Sequence, residues 1–171
     1  MREVRPRFKA NIFLDSGFPY PGELAYGYRN GLIDVRLLAK VIDGLARKKV
    51  PLVPEELEMT SLLSDEVDQM RELAFQLSRY ERDDSGEVWQ YYFTVVAANE
   101  IRDPIEKFET LDSVWSDLGY PDGMTQIIYP QEGLPAHLYP LLGERDLSDF
   151  LAGWSNALMQ RDPRGRLLTE A

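Results

Sequence analysis

GEVWQYYFTVVAANEIRDPIEKFETLDSVWSDLGYPDGM, residues 86 to 124, is the stretch on which the fold turns. It opens with Val88, Trp89, Tyr91, Tyr92, Phe93, Val95, Val96, Ala97 and Ala98, a run in which only Gln90 and Thr94 are polar. Those two stand four residues apart, so on a helix they share a narrow stripe that continues back towards Glu87. Nearly every other side must be covered by protein, which predicts a helix at the centre of the core. Asp103-Pro104 follows as a hinge, with Asp103 suited to an N-cap and Pro104 to a first helical turn. Beyond it Ile105, Phe108, Leu111, Trp115 and Leu118 make one apolar stripe, and Glu106, Glu109, Asp112 and Asp117 occupy the remaining surface. Gly119-Tyr120-Pro121 stops this second helix.

Towards the N-terminus, Ser64-Asp65-Glu66 offers a cap and an acidic first turn for a helix reaching about Tyr80, with Val67, Met70, Leu73, Ala74 and Leu77 inward. Pro51 and Pro54 break the chain before it, and Pro54-Glu55-Glu56-Leu57 has the form of a short helix start. Val35, Leu38, Val41, Ile42 and Leu45 follow a three-four spacing after Asp34, and Arg47, Lys48 and Lys49 stand where cations favour the helix dipole. Pro21 starts an earlier helix over Gly22 to Asn30, with Leu24, Tyr26 and Tyr28 as contacts, and Asn30-Gly31 ends it. These two are expected to be antiparallel neighbours. In residues 1–19, Phe8, Ala10, Ile12 and Leu14 alternate with Lys9 and Asn11, and an extended arm is expected.

Towards the C-terminus, four prolines and four glycines between Gly119 and Arg145 argue for a long loop. Within it Ile127-Ile128-Tyr129 could be a short extended segment. Asp146 and Ser148 begin a last helix to about Arg161, with Leu147, Phe150, Leu151, Trp154, Ala157 and Leu158 inward, and residues 162–171 are expected to fray. The whole predicts an all-α protein. One helical domain over residues 1–171 is expected, a bundle of five or six helices with an N-terminal arm and a Pro/Gly-rich loop before the last helix.

The net charge of -10 is unevenly spread. Residues 1–50 carry +5, residues 51–122 carry -13 and residues 123–171 carry -2. A middle segment of that sign would repel nucleic acid and anionic membrane and attract a basic partner, although acidity also serves solubility alone. With no cysteine, disulfides, thiolate metal sites and cysteine nucleophiles are excluded, and a reducing compartment is permitted. No run has signal-peptide or membrane-spanning character, so a soluble cytoplasmic protein is expected.

Chemistry-bearing patterns are sparse. His137, the single histidine, lies in the proline-rich loop, and no serine sits in a glycine-rich elbow that would make it a triad base. Glu81, Asp83, Asp84 and Glu87 cluster without the ligand spacing of a calcium loop and read as solvated turn charge. Glu106 with Glu109, or Glu109 with Asp112, have the separation of a carboxylate pair, but they stand opposite an apolar stripe. Trp89, Trp115 and Trp154 fall on inward faces and read as core rather than as a base-stacking platform.

Three segments carry a family resemblance: Gly22-Glu23-Leu24-Ala25-Tyr26-Gly27-Tyr28-Arg29-Asn30-Gly31-Leu32-Ile33, then Asp103-Pro104-Ile105-Glu106, then Leu118-Gly119-Tyr120-Pro121 leading to Ile127-Ile128-Tyr129-Pro130. With the Trp154 helix, they resemble the domain of unknown function 2247 family of bacterial proteins, over about Tyr20 to Arg161. Some members occur near toxin genes, so the resemblance implies an immunity or interaction protein and brings no catalytic residue, cofactor or metal with it. The resulting expectation is a non-catalytic binding protein that presents Glu106, Glu109, Asp112 and Asp117 to a basic partner such as a toxin, with no nucleic-acid or membrane partner. A small carboxylate- or metal-dependent enzyme and a structural or oligomeric subunit stand as alternatives.

Overall fold

The computed structural model describes residues 8–15, 17–118, 139–161 and 164, with the backbone alone at 118 and 139–146. The protein is all-α. Among the described residues there are eight α-helices and no strand: α1 Ile12–Asp15, α2 Pro21–Arg29, α3 Val35–Arg47, α4 Pro54–Thr60, α5 Val67–Gln76, α6 Glu87–Glu100, α7 Pro104–Leu118 and α8 Tyr139–Gln160. A single 3-10 turn, Leu77–Tyr80, extends α5. The count exceeds the expected five or six because the supposed arm contains a helical turn and Pro54–Thr60 is a helix of its own. The described residues fall into two compact units, one within Trp89–Ala157 and the other comprising Phe8–Val88 with part of Leu158–Ala171.

In the first unit, α6 is almost wholly enclosed. Trp89, Tyr91, Tyr92, Phe93, Val96 and Ala97 are buried, as its near-continuous apolar run requires. Thr94, expected on the polar stripe, is fully buried as well. Its hydroxyl donates to the Gln90 carbonyl at 2.6 Å and accepts from Trp115 Nε1 at 3.0 Å, so neither the hydroxyl nor the indole N–H of α7 is left unsatisfied. Ala97, Phe108, Leu111, Trp115 and Leu147 form the buried cluster, with Phe150, Leu151 and Trp154 of α8 packed against it. Edge-to-face rings run from Trp89 to Tyr92 at 5.4 Å, Tyr92 to Tyr91 at 5.9 Å and Tyr91 to Trp154 at 5.2 Å, a geometry that matches positive ring edges to negative faces.

Three sequence expectations about this unit are corrected. Ile105 is 57% exposed rather than inward, because at 100° per residue it lies roughly 90° from the middle of the face set by Phe108, Leu111 and Trp115. Ala157 is exposed on the last helix. That helix begins at Tyr139 rather than Asp146, taking Pro140 into its first turn, where a missing N–H costs nothing. Ile127-Ile128-Tyr129 and His137 lie outside the described residues.

The second unit is built on α3, whose Val35, Leu38, Val41, Ile42 and Leu45 are all buried, with Leu38 through Leu45 fully so. Asp34 caps α3 as expected, its carboxylate accepting from Leu37 N–H at 2.7 Å. α3 packs on α4 and α5, and α2 on α5 and the 3-10 turn. Gly22 is the point of closest approach: a Cβ there would lie 2.2 Å from the Tyr80 carbonyl oxygen, so any larger residue would push the 3-10 turn off α2. Instead of the expected extended arm, Ile12–Asp15 is helical, and Phe13 is fully buried with its ring 5.6 Å from that of Phe8, which is buried as well. α5 starts after Glu66, whose carboxylate accepts from Leu63 N–H at 2.6 Å; Ser64 is exposed and does not cap it.

Replacing Thr94 by valine keeps the shape but strands the Trp115 indole N–H, and the expected cost is about 1–3 kcal/mol in urea denaturation. Thr94→Ser should retain most of the stability, and equal losses in the two variants would contradict the hydroxyl's role.

Candidate functional site

The acidic residues singled out from sequence all lie on α7. Asp103 caps this helix through its carboxylate, which accepts from Glu106 N–H at 3.2 Å, while its carbonyl accepts from Lys107 N–H at 2.9 Å. With Phe108, Leu111 and Trp115 buried, helix geometry turns Glu106, Glu109, Asp112 and Asp117 outward, and all four are exposed. Ile105, Glu109 and Asp112 fall on one strip, and Glu106 and Asp117 on a second roughly 100° round the helix. The sequence placed the carboxylates correctly but missed the exposed isoleucine among them. Lys107, buried to 8% exposure on the other flank, was equally unforeseen. Among the described residues, no group of three or more His, Asp or Glu side chains is placed to hold a metal ion.

A second polar constellation, absent from the sequence reading, lies in the unit containing α2 and α4. Both helices begin with proline at the first position and carry glutamate at the third: Tyr20-Pro21-Gly22-Glu23 and Val53-Pro54-Glu55-Glu56. Each glutamate folds back on its own helix start. Glu23 Oε1 accepts from Tyr20 N–H at 2.7 Å, and Glu56 Oε1 from Val53 N–H at 3.1 Å. This fixes two carboxylates in buried positions, Glu23 at 5% and Glu56 at 0% exposure.

Each buried carboxylate meets an arginine. Arg161 donates from Nη1 and Nη2 to Glu23 at 2.8 and 2.7 Å and from Nη2 to the Phe18 carbonyl at 2.8 Å, while its guanidinium stands 3.9 Å from the centre of the Tyr20 ring. Arg164, unlike the partly exposed Arg161, is buried. It donates to Glu56 from Nη1 at 2.9 Å and Nη2 at 2.5 Å, and to the carbonyls of Pro19 at 2.6 Å and Pro51 at 2.7 Å. Such planar, two-pronged contacts match guanidinium and cannot be reproduced by an ammonium group. Arg164 belongs to the stretch expected to fray. The signal available in sequence was the repeated Pro-x-Glu helix start, since a carboxylate held against its own backbone is ready-made for a cation.

Two further ion pairs among the described residues lie nearer water. Arg29 binds Glu81 with Nε at 3.1 Å and Nη2 at 2.7 Å, which takes Glu81 into a pairing rather than into the solvated turn expected of it. Arg79 pairs with Glu55 at 2.8 Å, and Tyr80 bridges the two, accepting from Arg79 and donating to Glu55 Oε2 at 2.8 Å. Burial, reinforced by the Glu55 hydrogen bond and opposed by Arg79, pushes the Tyr80 phenol above the ordinary tyrosine range. Arg47, Lys48 and Lys49 are exposed at the end of α3, as dipole partners would be.

A folded-state pKa raised above the unfolded value stabilises the fold fully below the ordinary tyrosine value of about 10 and loses that contribution as pH climbs through the folded pKa. Wild-type stability should therefore fall more steeply with alkalinity than that of Tyr80→Phe, measured by denaturant titration across that range. Identical slopes would contradict the assignment.

No helix among the described residues is long and apolar enough to cross a membrane. Comparison with curated proteins and with solved structures finds no match. A family model for uncharacterized proteins conserved in bacteria (DUF2247) matches residues 10–156, most of the 171-residue chain, and the protein belongs to that family.

Proposed function

We propose that this protein is a non-catalytic binding protein whose α7 surface engages a basic protein partner. The observation that carries the reading is an exposed isoleucine, Ile105, set among the exposed carboxylates of Glu106, Glu109, Asp112 and Asp117. An apolar contact rimmed by like charges suits protein association, in which the apolar group supplies burial and the charges supply steering and orientation. The -13 charge of residues 51–122 extends the same sign well beyond α7. A toxin is the kind of partner implied by the family resemblance, and the bound protein would then be held inactive by masking of a cationic surface. The proposed setting is the cytoplasm, which a cysteine-free chain permits.

The alternative of a carboxylate-based enzyme asks these side chains to converge in an enclosed site, where burial could tune them for proton transfer. Their outward display along one helix favours association instead.

Glu106→Lys, Glu109→Lys and Asp112→Lys combined should slow association with a cationic partner by about tenfold or more at low salt and flatten its salt dependence. Stopped-flow measurement with a partner co-purified from the native cell provides the check. A partner that binds the triple variant as fast as the wild type, at low and high salt alike, would overturn the proposal.

A further inference from the structure

Burying a carboxylate is costly unless it is paired and hydrogen-bonded, and this chain does so twice at neighbouring points, each time against an arginine. Consecutive carbonyls divide the work. Phe18 accepts from Arg161 and Pro19 from Arg164, so the short segment 18–23 lines both pockets, one completed by Glu23 and the Tyr20 ring and the other by Pro51 and Glu56. Nothing in the receptor half comes from the arginine segment itself. The carboxylates are oriented by hydrogen bonds from Tyr20 and Val53 N–H groups within their own helix starts. The receptor is therefore organised by α2 and α4, and the arginines are its occupants.

The approach of the occupying segment is built in as well. Gly17 takes a φ of +68°, and a Cβ there would lie 2.6 Å from the Leu158 carbonyl oxygen. A larger side chain would keep the end of α8 from lying against this backbone.

We propose that the starts of α2 and α4 form a two-pocket arginine receptor, filled in cis by Arg161 and Arg164, that accepts an Arg-x-x-Arg peptide in trans once the cis segment leaves. Charge alone does not define the ligand: two pronged carboxylates, three carbonyl acceptors and an aromatic face select guanidinium over ammonium. The tethered segment competes at an effective concentration in the millimolar range, so the wild-type receptor is closed to a free peptide of the same sequence. This site is independent of the acidic face of α7, and each can fail without the other.

The test uses the full chain carrying Arg161→Ala and Arg164→Ala and a fluorescein-labelled peptide with the sequence of residues 158–168, followed by fluorescence anisotropy, with circular dichroism to establish that the variant is folded. The peptide should bind the variant at least about tenfold more tightly than the wild type, in line with removal of the tethered competitor. Replacing both peptide arginines with lysine, or adding Glu23→Gln and Glu56→Gln to the chain, should abolish that binding. Absence of binding to the folded variant, equal binding to the wild type, or undiminished binding of the lysine peptide would each overturn the proposal. If the double variant does not fold, Arg161→Ala alone provides the second measurement. Its melting temperature should rise with ethylguanidinium and not with ethylammonium at equal ionic strength, and the same response to both ions would overturn the proposal.

Discussion

Glu56 and Arg164 lie 108 positions apart in sequence, and both are almost completely withdrawn from water. The unit that contains them has to honour that constraint before any other. An ion pair with no access to solvent survives only when every strong donor and acceptor is answered, and removing either partner leaves the other charge buried and alone. Here the answer is drawn from two helix starts. Proline at the first position fixes φ and needs no N–H partner, which leaves the third-position glutamate to close on the preceding backbone N–H with one oxygen while both oxygens meet the arginine. Arg161 and Glu23 repeat the scheme in a wetter setting, with the Tyr20 ring as an added face. The starts of α2 and α4 thereby orient the carboxylates, and residues from the other end of the chain neutralise them.

The unit around α6 and α7 is organised differently, around one buried hydroxyl that is used twice. Thr94 satisfies its own helix and the Trp115 indole together, so the largest side chain of α7 enters the core without an orphan N–H. With Trp115, Leu111 and Phe108 drawn inward, the carboxylates of the same helix have nowhere to go but out. The acidic surface proposed to meet a partner is in that sense a consequence of core packing.

The fold was legible wherever a single helix face repeats an apolar residue at helical spacing. Val35 to Leu45 is the clearest case, and the enclosure of α6 follows from a run with almost no polar residue. Asp34 and Asp103 were readable as caps because their carboxylates act within one turn. Details that depend on the angular width of a face were not: Ile105 sits at the edge of its stripe, and Lys107 has a long apolar stem that a charge-based reading assigns to water. α5 starts two residues later than Ser64 suggests, because Glu66 reaches back to the Leu63 backbone. The exposed carboxylates of α7 were legible as the complement of its stripe. The arginine pockets were not, because they join residues more than a hundred positions apart and because charged residues are expected at the surface unless a partner is known.

A double-mutant cycle on Glu56 and Arg164 tests the central constraint most directly. Stability would be measured by denaturant unfolding of the wild type, Glu56→Gln, Arg164→Met and the combined variant. The buried pair predicts that each single substitution costs about 3–5 kcal/mol and that the combination costs little more than either alone. Additive losses, or a single substitution without effect, would contradict it.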